Sequence, residues 1–120
     1  MIRHMRTPPH PGRDQIQLVT MLEALSDATR LAIMLQIADH PGETEARCSA
    51  FLHLGSKTNL TYHLAKMRHA GLTRVRVEGT ARYISLRRDD LEMRFPGLLD
   101  TLIASARRGG GRKRRLARAG

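Results

Sequence analysis

The stretch Ser56-Lys57-Thr58-Asn59-Leu60-Thr61-Tyr62-His63-Leu64-Ala65-Lys66-Met67-Arg68-His69-Ala70-Gly71 carries a helix whose two faces differ in kind. Leu60, Leu64 and Met67 recur at the i, i+4, i+7 spacing of one buried stripe. Ser56 is placed to cap its start, and Gly71 accepts the left-handed conformation that ends it. The opposite face carries Lys57, Thr58, Thr61, Tyr62, Ala65 and Arg68, a surface of hydrogen-bonding groups and cations.

Beyond Gly71 the helical period gives way to strand alternation. Val75 and Val77 alternate with Arg74 and Arg76, Glu78-Gly79-Thr80 turns the chain, and Ile84 and Leu86 share one side of the returning strand Arg82-Tyr83-Ile84-Ser85-Leu86. The pattern predicts a two-stranded hairpin. Asp89 or Asp90 then caps a short helical segment to Phe95, and Pro96-Gly97 interrupts it. Leu98, Leu99, Leu102, Ile103 and Ala106 form the apolar side of a last helix.

Upstream, Glu43-Thr44-Glu45 opens a third helix with Cys48, Phe51 and Leu52 on its apolar face, ending near Leu54-Gly55. Ser26 and Asp27 cap a second helix carrying Leu31, Met34, Leu35 and Ala38, flanked by Ile33 and Ile37 and stopped by His40-Pro41-Gly42. In the first helix, Leu18, Val19, Met21, Leu22 and Leu25 cover roughly 160° of the wheel, against the ~100° that a surface helix buries. That width predicts two partners, a core and a second subunit. The expected fold is therefore mainly α with a small β-hairpin, in one domain over residues 14–106. Residues 1–13, with Pro8, Pro9, Pro11 and Gly12, are expected to be a mobile arm, and the basic, glycine-rich residues 107–120 a disordered tail.

Charge narrows the partner. The chain has 120 residues, 21 basic against 11 acidic, and a net charge of +10. Three arginines in residues 1–13 and seven basic residues in 107–120, with no acid in either, account for the whole excess. Inside the neutral body, residues 55–88 hold eight basic residues against Glu78 alone. A basic band on a helix and hairpin points to a polyanion. With four aromatics and no Trp, platforms that stack single-stranded bases are poorly supported, so duplex DNA is the better fit. A single cysteine, no secretory core at the N-terminus and no long apolar run predict a cytoplasmic, nucleoid-associated protein without a membrane segment.

A short helix, a turn, a helix with a polar and cationic outer face and an arginine-bearing hairpin make a winged helix-turn-helix. On Leu25-Ser26-Asp27-Ala28-Thr29-Arg30-Leu31, Ser56 to Leu64, Met67-Arg68-His69-Ala70-Gly71-Leu72 and Glu78-Gly79-Thr80-Ala81-Arg82-Tyr83, the chain resembles the ArsR/SmtB transcriptional repressors. Leu86-Arg87-Arg88-Asp89-Asp90-Leu91, with Arg94-Phe95-Pro96-Gly97-Leu98-Leu99-Asp100, is similar to a C-terminal signature of one branch of that family. The resemblance spans about residues 16–105. It implies a homodimer, paired through the first and last helices, that reads an inverted repeat in duplex DNA. It places the DNA contacts on Lys57, Thr58, Thr61 and Tyr62, with Arg82 on the wing. Arg74 and Arg76 fit phosphate contact and a solvated strand face equally well, and with Arg82 and the basic tails they are expected to bind phosphate. Tyr83 is expected to pack beneath the wing, His63 to be a half-buried hydrogen-bonded imidazole, and Arg30 to be a structural ion-pair partner.

Metal sensing in that family uses paired cysteines or His and carboxylate ligands. Here Cys48 is alone, and the last helix offers Asp100 without His or Cys. His63 and His69 lie ~240° apart on their helix and cannot share an ion. A site shared between subunits from His53 or His40 with Cys48 is the remaining arrangement; none is assigned, and no cofactor is called for. Phosphate-binding loops, a GxGxxG, an HExxH and a nucleophile elbow are all absent, so no enzyme is expected.

Overall fold

The computed structural model describes residues 6–40 and 45–119, with side chains through residue 109. Helices α1 (Leu18–Ala24) and α2 (Ala28–Ala38) meet at a turn where the Asp27 carboxylate accepts the Arg30 backbone N–H at 3.0 Å. Met21, Ala24 and Leu25 enter the same core as Ile33, Met34 and Ile37. Leu18, Val19 and Leu22 stay open to solvent, so α1 has the second apolar face that its wide stripe requires.

Next comes a strand where the sequence suggested a helix. Its expected opening residues 43 and 44 lie outside the described residues, but Glu45–Arg47 forms β1, followed by a 3-10 segment (Cys48–Leu54) that buries Phe51. Only Ala46 of the three strand residues is buried, opposite Ile84, and that cross-strand pairing overrides the helix-starting acids. The sheet therefore has three antiparallel strands rather than two, in the order β1-β3-β2, with β2 at Thr73–Glu78 and β3 at Ala81–Leu86.

Helix α3 (Lys57–His69) starts at Ser56, whose hydroxyl accepts the Asn59 N–H at 3.2 Å, and buries Leu60 and Met67. It ends at Gly71, φ +83°, and the wing turns at Gly79, φ +61°. Helix α4 spans Arg88–Arg94 and α5 spans Leu98–Ala119. Leu99 and Ile103 anchor α5 to the core, and Arg107 pairs with Asp39 at the end of α2. The helical backbone thus runs past residue 106, where the sequence reading ends the domain, although each glycine costs ~1 kcal/mol relative to alanine in a helix. The side chains of residues 110–120 lie outside those described.

The expected mobile arm is held along part of its length. Arg68 Nε donates to the Pro9 carbonyl at 3.1 Å, the Val75 N–H to His10 Nε2 at 2.9 Å, and Arg87 to the Pro11 carbonyl at 2.7 Å. Arg13 bonds Asp90 at 2.8 Å and begins a single 3-10 turn, Arg13–Gln15, that delivers Ile16 into the core at 1% exposure. Prolines keep this segment extended, which leaves its carbonyls free for arginines of the body. These long-range partners are not visible in local sequence.

Candidate nucleic-acid interface

Strand register sorts the basic residues of the wing. Val77 stands opposite Arg82, whereas Arg76 stands opposite Tyr83 and Arg74 opposite Ser85, so Arg82 occupies one face of the sheet and Arg74 and Arg76 the other. The face of Arg82 turns toward α3. A cleft of about 580 Å³ opens there, lined among others by Lys57, Thr61, Thr80 and Arg82. Arg82 is half-buried, and its Nε has no hydrogen-bond partner among the described residues. A buried guanidinium nitrogen without a partner is costly, and an approaching anion removes that cost.

On α3, Lys57, Thr58, Thr61 and Tyr62 are all exposed, Tyr62 at 55%. The Thr61 hydroxyl donates to the Lys57 carbonyl at 2.9 Å. Its proton is thereby committed, leaving the oxygen lone pairs as acceptors and the methyl group as an apolar contact. Such a group suits a cytosine or adenine amino group, or a thymine methyl. Tyr62 packs edge to face on His63, ring centres 5.5 Å apart, with the Lys66 ammonium 5.9 Å from its ring. These contacts orient the ring while its hydroxyl end stays at the surface. His63 is itself half-buried and accepts a hydrogen bond from Arg30 at 3.0 Å, the role expected of it, whereas Arg30 bonds this imidazole and the Ala24 carbonyl where the sequence reading expects an ion pair.

Lys57, Thr61 and Arg82 therefore line one cleft, and Thr58 and Tyr62 are exposed on the same helix. Arg74 and Arg76 do not join them. Arg76 is bound to Glu45 at 3.0 Å and Glu78 at 2.8 Å, and its guanidinium lies 4.5 Å from the Tyr83 ring. Hydrogen bonds from Glu45 and Glu78 raise its pKa above the ordinary arginine value. Arg74 bonds Asp90 at 3.3 Å. Both side chains lie on the other face of the sheet, fastened by local carboxylates. One lining residue escaped sequence reasoning: Arg47 reaches the cleft from β1 and also lies 5.8 Å from Tyr83. It carried no signal because its strand was read as helix.

Cys48 sits in the wall of the same cleft, where burial pushes its thiol pKa up and the Arg82 charge only partly offsets this. A protonated thiol is a poor metal ligand. Among the described residues there is no group of three or more His, Cys, Asp or Glu side chains arranged to hold a metal ion, and no helix long and apolar enough to cross a membrane.

A comparison with known proteins agrees with the geometry. No protein-family model matches the chain. It is 37% identical over 94 residues to YceK of Bacillus subtilis (strain 168), an uncharacterized HTH-type transcriptional regulator, and the match covers 74% of this chain and 88% of the relative. The chain therefore belongs to the helix-turn-helix transcriptional regulators, which are DNA-binding proteins and not enzymes.

Proposed function

We propose that this regulator is a sequence-specific repressor of the ArsR/SmtB kind, acting as a homodimer on an inverted-repeat operator. The observation that carries the reading is the cleft between α3 and the wing, where Lys57, Thr61 and an Arg82 Nε without a partner among the described residues converge beside an exposed polar helix face. Lys57, Thr58, Thr61 and Tyr62 read base edges from the major groove, and Arg82 meets phosphate or the minor groove. Arg74 and Arg76 are left out of the DNA contact set.

The dimer forms through α1 and α5. Val19 is 75% exposed, with Leu18 and Leu22 beside it on α1, while Leu98 and Leu102 of α5 are only partly covered. Pairing these faces would set two α3 helices about 34 Å apart, one turn of duplex. Residues 107–120 add phosphate affinity without base preference, making binding strongly salt-dependent. Sedimentation of the full chain and of Val19→Lys tests the assembly: a dimer that the substitution dissociates is expected, and a wild-type monomer at micromolar concentration contradicts it. Replacing residues 107–120 with a neutral sequence tests specificity. Preference for one operator is expected to survive, whereas its loss would mark a weakly specific DNA-coating protein.

A further inference from the structure

The run Arg87-Arg88-Asp89-Asp90 plays no part in the DNA-facing surface, yet it lines a second cavity of about 600 Å³ with Arg13 and Arg74. The walls come from the arm, from β2, from the junction of β3 and α4, and from Ile37 and Ala38 at the end of α2. Four guanidiniums and two carboxylates line it, and Arg88 also pairs with Asp100 at 3.6 Å, which leaves an excess of one positive charge. This cavity shares no lining residue with the cleft beside α3.

Asp90 is oversubscribed. It accepts from Arg13 Nε at 2.8 Å, from Arg87 Nε at 2.8 Å and from Arg74 at 3.3 Å. Three guanidiniums bring about fifteen N–H donors, whereas one carboxylate offers about four lone-pair sites. Arg87 is the fixed member, with its side chain 3% exposed and a further bond to the Pro11 carbonyl. Arg74 and Arg88 are half-exposed at the mouth. Planar guanidiniums with spare donors, converging on one concave site, match the oxygens of a doubly charged anion.

We propose that this cavity binds a small anion with at least two negative charges, of the phosphoryl or dicarboxylate type, held by Arg13, Arg74, Arg87 and Arg88. The ligand would also act at a distance. Arg87 and Arg13 grip the arm at Pro11 and Arg13, and Arg68 at the last turn of α3 grips the same arm at Pro9. An anion that tightens the first grip holds the arm against the recognition helix, so occupancy is communicated to α3 through residues 9–13.

The test uses the full chain titrated with pyrophosphate at constant ionic strength, following arginine Nε–H resonances and the thermal midpoint. The resonances of Arg13, Arg74 and Arg87 are expected to move saturably, with a midpoint rise of several degrees. The variant Arg74→Ala/Arg88→Ala, checked for folding by circular dichroism, is expected to bind about tenfold or more weakly. Lys57→Ala is expected to bind pyrophosphate as the wild type does. No shift in these three arginines, or equal binding by the double variant, overturns the proposal. A duplex lacking any preferred site separates the two sources of phosphate. The double variant should bind it as tightly as wild type, and a loss of affinity for this duplex would assign the cavity to the DNA backbone and overturn the small-anion site.

Discussion

Arg30 of α2 and His63 of α3 share a hydrogen bond of 3.0 Å across the joint between the two helices, and Arg30 Nε also donates to the Ala24 carbonyl at 2.6 Å. Because the guanidinium only donates, His63 Nδ1 is the acceptor and the imidazole proton sits on Nε2. One buried side chain thus ties the end of α1, α2 and the recognition helix together. Arg30→Met leaves the Ala24 carbonyl and His63 Nδ1 without this donor, and unfolding free energy measured in urea is expected to fall by ~2–4 kcal/mol. In a double-mutant cycle with His63→Phe, a coupling of ~1 kcal/mol is expected; strict additivity would show that the bond does not set the joint.

Gly71 closes α3 at the point where the arm enters the core. A Cβ there would lie 2.5 Å from Ile16 Cγ1, on a backbone already at φ +83°. Gly71→Ala is expected to lose about 2–4 kcal/mol from the left-handed conformation and the overlap together. Full stability of Gly71→Ala by thermal unfolding would contradict this close approach.

Acid should loosen the arm before it unfolds the body. Burial, with Arg74, Arg68 and Arg87 nearby, lowers the His10 pKa below its ordinary value, and Val75 N–H needs the unprotonated Nε2 as acceptor. Unfolded chains then bind more protons than folded ones. This contribution is complete above the unfolded value of ~6.5 and is lost as pH falls through that value toward the folded one. Asp90, lowered by Arg13 and Arg87, and Asp27, lowered chiefly by the Arg30 backbone N–H, follow the same sign below ~3.9. Protection of the Val75 amide, relative to its intrinsic exchange rate, is expected to fall as pH drops below about 6.5, and His10→Gln should remove that step. An exchange profile identical in the variant would contradict the latch.

The two faces of the wing predict different phenotypes. Arg82→Ala should weaken operator binding and flatten its salt dependence by about one phosphate contact. Arg76→Ala should leave operator affinity nearly unchanged, since its guanidinium is held by Glu45 and Glu78. Anisotropy titrations at several salt concentrations distinguish them, and equal losses would contradict the assignment by register.

Much of this arrangement is legible in local sequence because it is local chemistry. Asp27 and Ser56 cap the helices they precede, Gly71 takes the left-handed conformation expected of it, the chain turns at Gly79, and the polar face of α3 follows from spacing alone. Strand β1 was hidden because three residues have no period, and only the partner Ile84 makes Ala46 a strand residue. Docking of the arm was hidden for a related reason: His10 finds Val75 across 65 residues of chain, and proline-rich composition does not announce such a partner. The register that separates Arg82 from Arg74 and Arg76, and the choice of the face that meets α3, depend on pairing and packing that no short window contains.

Selection of bound fragments from random duplexes, at low and moderate salt, tests DNA reading by α3 and the wing most directly. The full chain is expected to enrich a motif with two-fold symmetry and half-sites about one helical turn apart, and Lys57→Ala/Thr61→Ala is expected to lose it while keeping non-specific affinity. Enrichment of no motif by the wild type, or of the same motif by that variant, would contradict it.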